Sequence, residues 1–442
     1  MKMEDKMYSY SKYSFFVENN GWIILYNSLY GIDSLCKIPK EVFSSVIEQH
    51  ANQFYVDELM KHHHLVHEED NEESLLEYKR NKMRFSTNLN LIILPTEKCN
   101  FRCAYCYEKY EKGEMTKETA DCIIDYLHQN LYKYTSVNLD WFGGEPLCAL
   151  DTVKDILYRT LQVSQKRSVP MISTMTTNGY LLTPELVREL LRLHVVAYQI
   201  TLDGVKETHD KYRKLIGGGA TFEEILKNLI DIKQKVKSGV LRFCIRVNIT
   251  SHTLEYLNDF FDLLKQHFEN DSRFELSLRY VRDLKGDGGI EDILNDDDIM
   301  LRVYSLASKK IPRLLQSHFL NMLNSSGTCY AGKPNSFVIG SDATIYKCTV
   351  HFDDPVNQIG CLKDCKLAID EHKLSSWIYP NMYSQNECMT CWYRGACFDG
   401  TCPYKSIKQK NAMSCPFEKI HIEYILKFLD DHKFVEEIYD GN

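Results

Sequence analysis

The sequence predicts an α/β protein whose middle is a partial (β/α)6 barrel of the TIM type, with a smaller unit before it and a cysteine-rich unit after it. Two observations predict the barrel. Six β-rich runs alternate with segments of helical periodicity, which implies parallel strands joined by right-handed crossovers. Each run ends in polar residues, Gly or Pro, the chemistry that barrels place at the C-terminal ends of their strands. A third observation marks the last unit: of 16 cysteines, nine lie beyond residue 325.

Residues 1–85 are expected to fold first. "YSFFVENNGWIILYNSLYGIDSLCKIPKEVFSSVIEQ" reads as two short strands around a turn and then a helix. "YVDELMKHHHLVHEEDNEESLLEYK" reads as a helix, a strand-like "LVHEE" and a helix, with His62, His63 and His64 at a solvated helix end. Residues 86–300 hold the six strand runs: "LNLIILPTEKC", "VNLDWFGGEP", "MISTMTTNG", "VVAYQITLDG", "RFCIRVNIT" and "RFELSLRYV". Helical patterns such as "KETADCIIDYLHQNLYKY" and "TPELVRELLRLH" lie between them. The loop of Cys99, Cys103 and Cys106, then Gly143-Gly144-Glu145-Pro146, Thr177-Asn178-Gly179 and Asp203-Gly204 all fall at strand ends, so they should converge on one pocket. Residues 301–442 carry the nine later cysteines and a C-terminal helix.

Composition narrows the function. With 44% hydrophobic and 12% aromatic residues the chain is globular, and its length exceeds one ordinary core. A net charge of -8 argues against nucleic acid or an anionic membrane as partner. The charged N-terminus does not read as a signal peptide, and no run reaches the roughly 18 apolar residues of a membrane span. A cytoplasmic protein is expected. In a reducing compartment cysteines point to metal or catalysis rather than to disulfides. Cys36, Cys122, Cys148 and Cys244 lie in apolar or helical surroundings and read as ordinary buried thiols.

The triplet CxxxCxxC, with Tyr105 before its last Cys and GGEP at the next strand end, resembles the radical S-adenosylmethionine (SAM) enzymes. The resemblance implies that Cys99, Cys103 and Cys106 hold three irons of a 4Fe-4S cluster whose fourth iron binds SAM. It implies SAM cleavage to methionine and a 5′-deoxyadenosyl radical that takes hydrogen from a substrate. By the same resemblance Gly143, Gly144 and Glu145 bind the methionine amino group and Tyr105 lies beside the adenine. Asn178, Arg213, Arg246 and Asn248 are further candidate SAM contacts, the last three for its carboxylate and ribose.

The C-terminal spacing looks like the SPASM extension of radical SAM peptide-modifying enzymes, which holds two auxiliary 4Fe-4S clusters. Matched by motif position, Cys388, Cys391, Cys397 and Cys415 complete one cluster, and Cys329, Cys348 and Cys402 hold the other. Three departures stand out. "SDATIYKC" has Ala343 where the family has Gly, the last gap of the quartet is one residue longer, and no Cys closely follows Cys329. The second cluster would then have an open iron able to bind a substrate thiolate, unless Cys361 or Cys365, otherwise thiols in a loop, closes it.

The N-terminal unit is similar to the winged-helix, PqqD-like elements that bind a leader peptide as an added edge strand. Together these resemblances imply a ribosomal-peptide (RiPP) maturase that installs a thioether, from a Cys sulfur to a carbon, in a precursor peptide with a leader. An electron donor such as flavodoxin or ferredoxin would serve it. The rival readings are carbon–carbon or carbon–oxygen crosslinking, a sulfatase-maturating enzyme, and a zinc-binding peptide scaffold. Sulfatase-maturating enzymes carry an Asp after the hairpin Cys, where this chain has Thr349.

Overall fold

The computed structural model describes residues 8–281, 297–324, 329–379, 386–397, 402–408 and 415–440. Backbone contacts divide the chain into one unit of residues 86–318 and 334–378 and another of residues 1–85, 319–333 and 379–442.

The first of these units is built on a ten-stranded sheet. Its strands are β1 (Asn88–Ile93), β2 (Ser136–Trp141), β3 (Met171–Thr177), β4 (Val195–Thr201), β5 (Arg242–Ile249), β6 (Phe274–Tyr280), β7 (Ser336–Ile339), β8 (Thr344–Tyr346), β9 (Gln358–Lys363) and β10 (Lys366–Ile369). From β1 to β6 each strand lies parallel to the next, in chain order, which is the expected partial-barrel sheet of an α/β fold. Helices fill the crossovers, among them Lys117–Asn130, Leu150–Arg167 and Phe222–Lys235.

Period-2 alternation explains which face goes where. In β2, Val137, Leu139 and Trp141 are buried and alternate with half-buried Ser136, Asn138 and Asp140. Register continues such a polar face across the sheet, since Thr176 pairs with Gln199, Gln199 with Cys244, and Cys244 with Glu275. A closed barrel fills its interior with branched apolar side chains. Here that face stays polar and partly accessible.

β7 extends the sheet on the other side of β1, parallel to it, and β8 to β10 follow as antiparallel hairpins. Ala343, in the β7–β8 turn, sits in the left-handed region at φ 67°, where a residue with a Cβ is strained. Asp342 steadies the turn by accepting from the Thr344 N–H at 3.1 Å. The β9–β10 turn holds Asp364 and Cys365, both at positive φ, and Cys365 is disulfide-bonded to Cys122 on helix Lys117–Asn130. This corrects two expectations: Cys122 is not an ordinary thiol, and Cys365 is not a loop thiol. Cys148 is exposed rather than buried, and Cys361 is an exposed residue of β9.

In the other unit, strands Ser14–Asn19, Trp22–Asn27 and Gly31–Pro39 form an antiparallel meander. Asn20 and Gly21, both at positive φ, make the first turn, as a two-residue hairpin requires. The sequence reading of two strands missed one. It also missed Glu436–Glu437, which adds in parallel to Gly31–Pro39 and brings Ile438 into the core with Leu25, Cys36 and Leu59. Helices Lys40–Ile47 and Gln53–Lys61 follow the meander, then strand Leu65–His67 and helix Glu72–Arg84.

The three histidines are not a solvated helix end. The chain reverses at His63, at φ 64°, and sends His62 and His64 inward. The His64 ring bonds Ser14 Oγ at 2.9 Å and the Ser34 carbonyl at 2.7 Å, and burial pushes its pKa down to about 3. No helix among the described residues is long and apolar enough to cross a membrane.

Candidate functional site

The cysteine loop leaves the end of β1 and is closed at its neck. The Glu97 N–H donates to Gly113 O at 2.8 Å, and the Glu97 carboxylate accepts from the Glu111 and Lys112 N–H groups. Inside the loop, strand Phe101–Cys103 pairs antiparallel with Arg213–Leu215, setting Cys103 opposite Arg213. A turn then returns the chain, with the Cys106 N–H donating to Cys103 O at 3.1 Å.

GGEP is fastened directly to this loop. The Gly144 N–H donates to Thr96 O at 3.1 Å and the Glu145 N–H to Lys98 O at 3.0 Å. A Cβ on Gly144 would stand 2.3 Å from Glu97 O and 2.4 Å from Lys98 O, so the approach admits only glycine. Glu145 is buried, and burial raises its pKa although hydrogen bonds pull the other way. Its carboxylate accepts from Thr177 Oγ1, the Leu147 N–H and the Asn178 N–H at 2.7, 3.1 and 2.7 Å. Asn178 in turn donates to Asn100 Oδ1 at 2.7 Å and lies 4.0 Å from Cys99 Sγ. Thus Cys99, Gly143, Gly144, Glu145 and Asn178 form one connected group.

A second group surrounds Tyr105. Its hydroxyl bonds the Asp203 carboxylate, accepts from Arg213 Nη1 at 3.0 Å and accepts from Asn248 Nδ2 at 3.3 Å. Asp203 also accepts from the Asn248 N–H at 2.7 Å, and Arg246 Nε donates to Asn248 Oδ1 at 3.0 Å. All the sequence-derived candidates in this part of the chain therefore fall into two networks beside the triplet. Asn100 was not among those candidates, and Asp203 was expected at the pocket as a strand-end residue but without a role. Asp203 had a signal, an acid at a strand end before Gly, but the same dipeptide is an ordinary turn.

The donor set fits an iron–sulfur cluster. Burial pushes the Cys99 thiol up to about 12 and Cys103 up to about 11, and neighbouring thiols add to each shift. Such thiols keep their protons until a metal displaces them. Among the described residues no three His, Cys, Asp or Glu side chains close on a single ion. An iron–sulfur cluster takes one thiolate per iron, and this loop supplies three cysteines. Arg213 Nε is buried without an acceptor, a donor left over for something other than protein.

The C-terminal cysteines sit on small elements. The Cys391 N–H donates to Cys388 O at 3.2 Å in a CxxC turn, and Cys397 ends helix Arg394–Cys397. Lys419 donates to Cys415 Sγ at 3.3 Å; burial lowers its pKa, but the Cys391 and Cys415 sulfurs raise it overall, so both thiols meet at one ammonium. Cys329 and Cys402 are half-buried, as is Cys348, whose N–H donates to Asn357 Oδ1 at 2.7 Å.

The Radical SAM superfamily matches residues 93–264. The Fe-coproporphyrin III synthase of Methanosarcina barkeri is 26% identical over 39% of this chain and 39% of its own. The chain thus spans about two-fifths of that relative's length. Mycofactocin maturase MftC of Mycobacterium tuberculosis is 26% identical over 69% of this chain and 70% of its own. Among solved structures, native anSMEcpe with bound AdoMet and Cp18Cys peptide has a TM-score of 0.56 at 18% identity, covering 78% of this chain and 97% of its own, a likeness of fold. The cysteine triplet, the GGEP turn and the Tyr105 network all lie within the matched span. Residues 93–264 are a radical SAM domain, a domain that works with a SAM-binding 4Fe-4S cluster and SAM.

Proposed function

We propose that this chain is a cytoplasmic radical SAM maturase that forms a thioether between a Cys sulfur and a carbon of a ribosomally made precursor peptide. The observation that carries the reading is the junction of the triplet loop, GGEP and the Tyr105 network at the strand ends of a partial barrel with a polar inner face. MftC is named as a maturase, and anSMEcpe has been solved with a peptide bound, which supports a peptide as substrate.

When bound, the cluster held by Cys99, Cys103 and Cys106 supplies the electron that cleaves SAM. The protein's own groups orient the cofactor. Gly143, Gly144 and Glu145 would take its ammonium. Arg213, with its spare N–H, would take its carboxylate, Arg246 and Asn248 would serve the ribose and Tyr105 the adenine, while Asn178 lies beside Cys99. Cys388, Cys391, Cys397 and Cys415 would hold one auxiliary cluster and Cys329, Cys348 and Cys402 a second. Cys365 is paired with Cys122, so Cys361 is the remaining rival for the fourth ligand. Residues 1–85 would hold the leader, and a flavodoxin or ferredoxin would supply electrons.

The test is anaerobic co-expression with a Cys-containing precursor peptide, followed by mass spectrometry after thiol alkylation. A loss of two hydrogens with one cysteine no longer alkylated is the expected result. The same loss with every cysteine alkylated would replace the thioether by carbon–carbon or carbon–oxygen coupling. Zinc without iron or sulfide would leave only a peptide-binding scaffold.

A further inference from the structure

The Tyr105 hydroxyl has one proton and two lone pairs. Arg213 Nη1 and Asn248 Nδ2 can only donate, so they occupy the lone pairs. The phenolic proton must then point at Asp203, the one acceptor among its three partners. Asp203 itself cannot turn away. Its other oxygen accepts from the Asn248 N–H, its own N–H donates to His209 Nδ1 at 3.1 Å, and its carbonyl accepts from Thr208 Oγ1 at 2.9 Å. His209 is fully buried and bonded on its far side to Thr221, so the support continues into the helix Phe222–Lys235.

We infer that Asp203 is the positioning residue of the SAM site: it fixes the place of the Tyr105 hydroxyl, and so the ring axis between Cys103 and Cys106, and, through the shared hydroxyl, the guanidinium of Arg213. The inference rests on the radical SAM reading of the domain. Its physical content is a direction. With the carboxylate as sole acceptor, every donor and acceptor of the hydroxyl is used once, and the hydroxyl has a single satisfied place before any ligand arrives. The spare Arg213 Nε–H is thereby aimed, not free to sweep.

Asparagine cannot replace Asp203. If its amide nitrogen faces Tyr105, three donors crowd one hydroxyl oxygen. If it is flipped, the amide nitrogen meets the Asn248 N–H, donor against donor. In Tyr105→Phe the same coupling is lost from the other end.

Equilibrium SAM binding to cluster-loaded protein tests this, alongside iron content and melting temperature for each variant. Asp203→Asn and Tyr105→Phe should each weaken SAM binding by about tenfold or more with iron content unchanged. The double variant should bind no worse than the weaker single one, because both changes break the same contact. Multiplied losses in the double variant, or unchanged affinity in Asp203→Asn, would overturn the inference while the domain assignment stands. Should Asp203→Asn lose iron or fold, Tyr105→Phe decides alone, and unchanged SAM affinity in it overturns the inference. A wild-type protein that carries iron but binds no SAM would sink the reading and the inference together.

Discussion

The two cysteine-bearing regions hold their thiols in different ways. Around Cys99, Cys103 and Cys106 the backbone is fixed by strand pairing, by the closed neck at Glu97 and by the GGEP turn. Around Cys388, Cys391, Cys397 and Cys415 the supports are helices of four to six residues, Asn386–Met389, Arg394–Cys397, Pro403–Lys408 and Phe417–Ile420. Helices this short do not persist unaided. The radical SAM region is shaped by its own backbone pairing, whereas the described helices around the C-terminal cysteines are too short to hold their shape by themselves.

The sharpest way to break that contrast is to remove the cysteines from each side. Replacing Cys99, Cys103 and Cys106 together by Ala should abolish 5′-deoxyadenosine formation yet leave hydrogen-exchange protection of β1 and β2 unchanged. The quartet Cys388, Cys391, Cys397 and Cys415 changed to Ala should lose protection in helices Asn386–Met389, Arg394–Cys397, Pro403–Lys408 and Phe417–Ile420. Persistent SAM cleavage in the first variant, or intact protection in the second, would end the distinction. The Cys122–Cys365 bond asks how much of the first region's rigidity is covalent, since helix Lys117–Asn130 follows directly on the loop. Reducing it should lower unfolding stability by about 2–4 kcal/mol in urea titrations. Gly144→Ala tests the close approach and should cost roughly 1–3 kcal/mol, with a drop in bound iron at the triplet because Glu97 and Lys98 must move. Smallest, Ala343→Gly should gain about 1 kcal/mol by relieving the left-handed alanine, read as a higher melting temperature.

Much of this was readable before the fold was known, and the reasons are local. The triplet, GGEP and the strand ends are short-range patterns, and parallel strands in chain order leave little choice of neighbours. What stayed hidden is long-range. Nothing near Cys122 announces Cys365, which is 243 residues away, and the pairing of Glu436–Glu437 with Gly31–Pro39 joins two ends of the chain. Asp203 was expected at the pocket, but its role was hidden because it depends on a hydroxyl 98 residues distant. His62 and His64 were misread because a polar run at a helix end suggests solvent, and only the reversal at His63 turns them inward.

β1 has two parallel neighbours, β2 and β7, and they differ in age. During synthesis β2 emerges soon after β1, but Ser336 follows β1 by roughly 240 residues, about 10–50 s at ordinary elongation rates. For that interval the strand that leads into the cysteine loop presents a bare apolar edge to the cell, of the kind that recruits other chains. Iron loading and chaperone protection would then compete for the same nascent segment, and the yield of active protein becomes a matter of timing rather than of final stability.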